Sequence, residues 1–138
     1  MDYSRSTGLD FTNEDLVELP DLSLYTNLKK LNCSYNRITN LDNLPLSLAY
    51  LDCSYNQITH LDNLPLSLTI LNCSYNHITH LNNLPLSLTT LYCLYNQITS
   101  LEHLPLSLTK LVCHNNPLIY DFDPTLENIR KHNVSRMS

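Results

Sequence analysis

Residues 31–50 read LNCSYNRITNLDNLPLSLAY, and residues 51–70 read LDCSYNQITHLDNLPLSLTI. Residues 71–90 repeat the phrase as LNCSYNHITHLNNLPLSLTT, and residues 91–110 as LYCLYNQITSLEHLPLSLTK. Cys33, Cys53, Cys73, Cys93 and Cys113 stand 20 apart, and Leu31, Asn36, Ile38 and Pro45 recur on the same beat. A fixed period of this length is the mark of a solenoid, in which each unit is one coil stacked on the next. Within LAYLDCSYN, Leu51 and Cys53 alternate with Asp52 and Ser54. That is the period-two pattern of a strand with one buried face. Twenty residues cannot hold a strand, two turns and a multi-turn helix. The Leu-Pro-Leu step instead predicts an extended or short 3₁₀ return, compatible with the fixed φ of proline. Coils of this kind stack at about 4.8 Å, the spacing of strands in a sheet, and with so slim a return the curvature is expected to be shallow.

Written as a pattern, the unit is L-x-x-L-x-C-x-x-N-x-I-x-x-L-x-x-L-P-x-S, and it runs from residue 28 to 118 without a gap. It resembles the leucine-rich repeat, and its length and L-P step resemble the short bacterial-type class known from secreted effectors. The C-S-Y-N-x-I-T wording and the ending NPLIYDFDPTLENIRKH are similar to leucine-rich repeat proteins encoded by giant viruses of amoebae. The resemblance implies an α/β-type repeat solenoid with a parallel β-sheet on its concave face, an extended or 3₁₀ convex side and capped ends. The asparagines have a physical task in such a stack. The chain leaves the sheet at each of them, and the inward backbone groups of that turn need partners away from water.

The chain is read as one domain over residues 1–138. Residues 1–27 form a diverged N-terminal coil, 28–118 five repeats, and 119–138 a C-terminal cap. Leu9, Phe11, Leu16, Leu19 and Leu22 lie 22 residues before Leu31, Cys33, Ile38, Leu41 and Leu44, with Glu14 in place of Asn36. After residue 122, Asp123 as N-cap and Pro124 at the first helical position predict a short capping helix over 123–133, its stripe of Leu126, Ile129 and Val134 covering the last coil. Glycine occurs once, at Gly8. Turns with positive φ are therefore assigned mainly to Asn and Asp.

The five cysteines fall at an inward strand position, where Cys behaves as a small hydrophobe. Neighbouring Cβ atoms would be about a strand spacing apart, wider than the ~3.8 Å of a disulfide, so five free thiols are expected. His60 and His80 share a position in successive coils, with His77 and His103 nearby. Stacked imidazoles can bind zinc, but these fall at outward loop positions with no clear carboxylate or thiolate partner, and no metal or cofactor is assigned. The sequons at Asn32, Asn72 and Asn133 matter only after secretion. The start MDYSRSTGLDFTNEDL has no apolar leader segment and no stretch approaches ~20 apolar residues, so a cytoplasmic location is expected, the host cytoplasm if the chain is viral.

The net charge is −5, and no Lys or Arg occurs between Arg37 and Lys110, which excludes a cationic footprint for nucleic acid or anionic lipid. No nucleophile elbow, phosphate-binding glycine loop or paired metal motif occurs, and no catalytic residue is assigned. The expected function is a non-enzymatic protein-interaction module acting through the sheet face, with an unknown protein partner and a monomeric state. Tyr35, Tyr55, Tyr75 and Tyr95 form a ladder, and Tyr is enriched at binding hot spots. Tyr50 and Ile70, with Tyr92, Leu94, Tyr95 and Val112, add apolar points, concentrated in the C-terminal half. Ser34, Ser54 and Ser74 are assigned to the same outward face. An alternative is self-assembly. Six acids against Arg5 in residues 1–21 face Arg130, Lys131 and Arg136 against Glu127 at the other end, a pairing that would join copies head to tail. A weaker alternative is a metal binder built on the histidine loops.

Overall fold

The computed structural model describes residues 2–136. Six three-residue strands, β1 (Gly8–Asp10), β2 (Lys30–Asn32), β3 (Tyr50–Asp52), β4 (Ile70–Asn72), β5 (Thr90–Tyr92) and β6 (Lys110–Val112), form one parallel sheet in chain order. One helix, α1 (Leu126–Arg136), closes the C-terminal end. The register is the repeat itself. Leu9 aligns with Leu31, and Leu31, Leu51, Leu71, Leu91 and Leu111 align in turn. Beyond the strands the ladder continues, with Cys33 N–H donating to Asp52 O at 2.8 Å and Tyr35 N–H to Ser54 O at 3.1 Å.

The core is a set of rows, one residue from each coil. Leu28, Leu48, Leu68 and Leu88, the strand leucines from Leu31 to Leu91, Cys33 through Cys93, and Ile38 through Ile98 are all sealed from solvent. All five cysteines are buried and free. Burial is the first cause that pushes the Cys33 and Cys73 thiols up to about 12 and raises Cys53, Cys93 and Cys113. The sulfurs are therefore core filling and not nucleophiles at neutral pH.

Each return carries one hydrogen-bonded turn, in which Leu48 N–H donates to Pro45 O at 3.2 Å, with the same bond at Leu68, Leu88 and Leu108, and no helix. Serines stitch successive returns together. Ser67 Oγ donates to Leu48 O at 2.6 Å and to Leu46 O at 2.8 Å, and Ser87 and Ser107 repeat the bond to Leu68 O and Leu88 O.

The asparagines form the expected ladder. Asn56 Oδ1 accepts from Ile38 N–H at 2.9 Å, while its Nδ2 donates to Cys33 O and Cys53 O at 3.0 and 3.1 Å. Asn76, Asn96 and Asn116 do the same one coil further on. Asn36 serves the first coil, accepting from both Glu14 and Leu16 N–H. The amide of each coil thus satisfies the coil before it, which explains why the first coil tolerates Glu14.

The capping helix differs in detail from its sequence reading. It starts at Leu126, not Asp123, because Thr125 supplies the cap: its Oγ1 accepts from Asn128 N–H at 3.1 Å. Ile129 is buried and Leu126 half-buried, but Val134 is 67% exposed. At about 100° per residue Val134 lies about 80° round from Leu126, beyond the edge of the docking stripe. Polar groups hold that edge instead. Asn133 Nδ2 donates to Leu101 O at 3.0 Å, and Tyr120 Oη accepts from Leu101 N–H at 2.8 Å. Arg130 Nη2 donates to Leu108 O at 2.6 Å and to Pro105 O and Leu106 O at 3.2 Å. Leu106 O and Leu108 O are the carbonyls a seventh coil's serine would take, so Arg130 stands in for the absent coil.

The positive-φ turns fall mainly to Asn and Asp, as expected, with one addition. Asn13, Asp15, Asn43, Asn63, Asn83 and Asn115 adopt positive φ, but so do Tyr35, Tyr55, Tyr75 and Tyr95, at 58°, 56°, 57° and 52°. The left-handed region costs a bulky residue about 1–2 kcal/mol. Stacking offsets it: the four rings lie face to face at 4.3, 4.2 and 4.4 Å, within 14° of parallel.

Candidate functional site

Each strand sends its middle residue inward and its first and third outward, so the outward rows are Tyr50, Ile70, Thr90 and, next to them, Asp52, Asn72, Tyr92, Val112. These residues are half-buried, because side chains on one face of a parallel sheet crowd their neighbours at strand spacing. Tyr50 is paired in register with Ile70, and Tyr92 with Val112. Lysines close the face at both ends. Lys30 Nζ lies 4.8 Å from the centre of the Tyr50 ring, and Lys110 Nζ lies 5.2 Å from that of Tyr92. Burial first, then the charges of Asp52 and Tyr92, raise the pKa of the Tyr50 hydroxyl, so it stays a neutral donor at physiological pH.

Leu94 sits at the margin of the face. In the second and third coils the residue before Cys (Asn32, Asp52) accepts from the N–H and Oγ of Ser34 and Ser54, closing a tight side-chain turn. In the fifth coil Tyr92 has no such acceptor, and Leu94 N–H turns to Ser74 Oγ of the coil before, at 3.1 Å. Ser34, Ser54 and Ser74 are buried by these bonds, which corrects their assignment to the open face. Alternation predicts direction only while the chain stays a strand, and it has already begun to turn at those serines.

Tyr55, Tyr75 and Tyr95 occupy a separate position, on the turn that follows the strands. Their exposed ladder forms one wall of a shallow groove floored by Asn56 and Asn76. The Tyr55 hydroxyl is pushed up to about 12, first by its hydrogen bond with Tyr75, then by burial and by Tyr35. The site residues chosen from sequence therefore fall into two groups, the strand face and the turn ladder, joined through Leu94 and Tyr95.

His60, His80 and His103 lie on the exposed outer loops, whereas His77 stands beside the tyrosine ladder. His60 Nδ1 shares a 3.1 Å hydrogen bond with Thr59 and its Nε2 stands 3.7 Å from Asp62, while His80 pairs with Thr79. Among the described residues no three His, Cys, Asp or Glu side chains converge as a metal set. At the C-terminal end, Arg130 is committed to backbone carbonyls, and Arg136 pairs with Glu102 at 2.9 Å. Lys131 Nζ stands 3.2 Å from Glu127, so all three cations that would make a head-to-tail contact are engaged within the chain.

The Leucine Rich Repeat family matches residues 27–49. Comparison with curated proteins finds no match. Among solved structures, the repeat domain of a Shigella effector is 37% identical with a TM-score of 0.79, over 85% of this chain and 53% of that one. YopM from Yersinia pestis, described as a leucine-rich effector protein, is 35% identical with a TM-score of 0.70, over 80% of this chain and 31% of its own. InlJ from Listeria monocytogenes, whose functional domain includes a cysteine ladder, is 28% identical with a TM-score of 0.61, over 87% of this chain and 32% of its own. The chain thus spans about half the length of the Shigella domain and about a third of the other two.

Proposed function

The chain is a leucine-rich repeat protein, and from that premise we propose that it is a non-enzymatic module that binds a protein partner through its strand face. The centre of the proposed contact is Tyr92, Leu94 and Val112, with Tyr50 and Ile70 extending it towards the N-terminus. One observation carries this reading. The inward rows repeat the same residues coil after coil, whereas the outward rows change identity and gather their aromatic and aliphatic members side by side in register. Packing explains the constant rows, and contact with a shaped surface explains the varied ones. An interface of this composition, aromatic at its core and rimmed by Lys30 and Lys110, has the anatomy of a hot spot with a polar rim. Five unbridged thiols suit work in a reducing compartment.

The test is retention of a partner from lysate by wild type and by Tyr92→Asn/Leu94→Ser. Both substitutions restore residues that the fourth coil carries at Asn72 and Ser74, so the stack is preserved. Loss of a specific band with an unchanged thermal midpoint supports the strand face. Retention of every band by the variant refutes it.

A further inference from the structure

The returns expose a feature that strand-face binding leaves unused. Leu46, Leu66, Leu86 and Leu106 stand in successive coils at the same position and are 86%, 81%, 82% and 92% exposed. The Ser67 and Ser87 bonds to Leu46 O and Leu66 O hold this ridge in register, so its teeth recur at about the 4.8 Å spacing of the sheet. Beside the ridge lie two hollows, one lined by Leu44 and Pro45 and the other by Leu84 and Pro85, and the repeat sets them in line as a groove interrupted at the coil between. Asp42, Asp62 and Glu102 line its far lip. A ridge next to a groove of the same period is complementary to itself.

We propose that this side of the protein is a dimer interface, and that the occupant of the groove is the leucine ridge of a second copy of this chain. Three observations select that occupant. The four leucines offer on the order of 600 Å², at the upper limit for the largest patch of an ordinary monomer and approaching the ~800 Å² per partner of a stable interface. The ridge's teeth repeat every coil, and another copy supplies the same spacing at every tooth. The acidic lip, with no Lys or Arg anywhere between Arg37 and Lys110, repels an anionic membrane.

Charge also sets the arrangement. With a two-fold axis parallel to the ridges, each ridge drops into the other's groove, equivalent coils meet, and the two acidic lips lie on opposite flanks. An axis perpendicular to the ridges would bring both lips to one flank, Asp42 facing the second copy's Glu102. The parallel arrangement puts Leu66 beside Leu66 of the second copy. It leaves the strand face free, so dimerisation and partner binding are separable.

The experiment is sedimentation equilibrium of the full chain at about 100 μM. Wild type is expected at twice the chain mass. Leu66→Glu/Leu86→Glu is expected at the single-chain mass with an unchanged circular dichroism spectrum. Leu66→Ser/Leu86→Ser, which adds no charge, is expected to weaken association at least about tenfold, the effect of ~1.4 kcal/mol. Raising salt from about 0.05 to 0.5 M should hold or tighten the dimer by screening the acidic lips, whereas a head-to-tail contact between charged ends would weaken. Leu66→Cys should cross-link to itself under mild oxidation, since the five native thiols are buried. A monomeric wild type, a dimer indifferent to both double variants, or a salt-weakened dimer overturns the proposal. A dimeric Leu66→Cys that stays uncrosslinked overturns the parallel arrangement.

Discussion

Replacing Asn76 by alanine isolates the asparagine ladder from everything else in the coil. The side chain is buried and makes four hydrogen bonds: its Oδ1 takes Ile58 N–H at 2.9 Å, and its Nδ2 donates to Cys53 O and Cys73 O at 3.1 Å and Ser74 O at 3.2 Å. The losses are unequal. Cys53 O keeps Asn56 Nδ2 and Cys73 O keeps Asn96 Nδ2, so each carbonyl falls from two amide donors to one. The Ile58 N–H, on a residue sealed from solvent, loses the side-chain acceptor that serves it. An orphaned buried donor costs about 1–3 kcal/mol, and the weakened carbonyls add to it, so the expected loss is roughly 2–4 kcal/mol. At ~2.1 cal/mol/K per residue of unfolding entropy, that lowers the thermal midpoint by roughly 7–14 °C. Asn82, exposed on the outer loop, is the control, and Asn82→Ala should stay within about 0.5 kcal/mol of wild type. Thermal melts followed by circular dichroism decide it. Equal midpoints for the two variants would refute the ladder as the device that satisfies the turn.

Arg130→Ala should destabilise by about 1.5–3 kcal/mol, the value of charge-assisted bonds to backbone carbonyls, and Arg130→Lys should recover part of it in urea titrations, while exposed Lys131→Ala changes little. Tyr75 stacks on two rings and Tyr35 on one, so Tyr75→Asn should cost about 0.5–1.5 kcal/mol more than Tyr35→Asn, since both relieve the same left-handed strain. Deleting residues 123–138 should uncover the last coil's apolar surface and drive aggregation, measured by light scattering; a soluble monomer would contradict the cap. Stability should fall with rising pH above 9. Below that value the thiols are protonated in both states, but from pH 9 to about 12 the unfolded chain releases protons that Cys33 and Cys73 still hold, a loss of roughly 1.4 kcal/mol per pH unit for each. A flat denaturation midpoint between pH 8 and pH 11 would contradict thiol burial.

The repeat was legible because each coil solves the same packing problem. Leu51, Cys53 and Ile58 can recur unchanged only if they meet their counterparts above and below, so the period alone implies the stack and the register. What escaped the sequence lies where the chain departs from regular geometry. The positive φ of Tyr75 is held by its stacked neighbours and not by local preference. Burial of Ser54 follows from its bond to Asp52, which a strand pattern does not encode. Arg130 reads as a surface cation until the unsatisfied carbonyls of the last return are seen beside it. The outward leucines of the returns were hidden for the opposite reason: Leu46 and Leu48 look alike in sequence, and only the hydrogen-bonded turn from Pro45 to Leu48 sends the first out and the second in.

Amide hydrogen exchange followed by nuclear magnetic resonance tests the in-register stack most directly. The N–H groups of Ile38, Ile58 and Ile78 have no strand partner and are bonded to the asparagine side chain one coil further on. They should exchange in the slowest class, together with the strand amides of Leu51 and Leu71. Exchange of those isoleucines as fast as that of exposed Asn82 would mean that the coils are not stacked through their asparagines, and the account would fail.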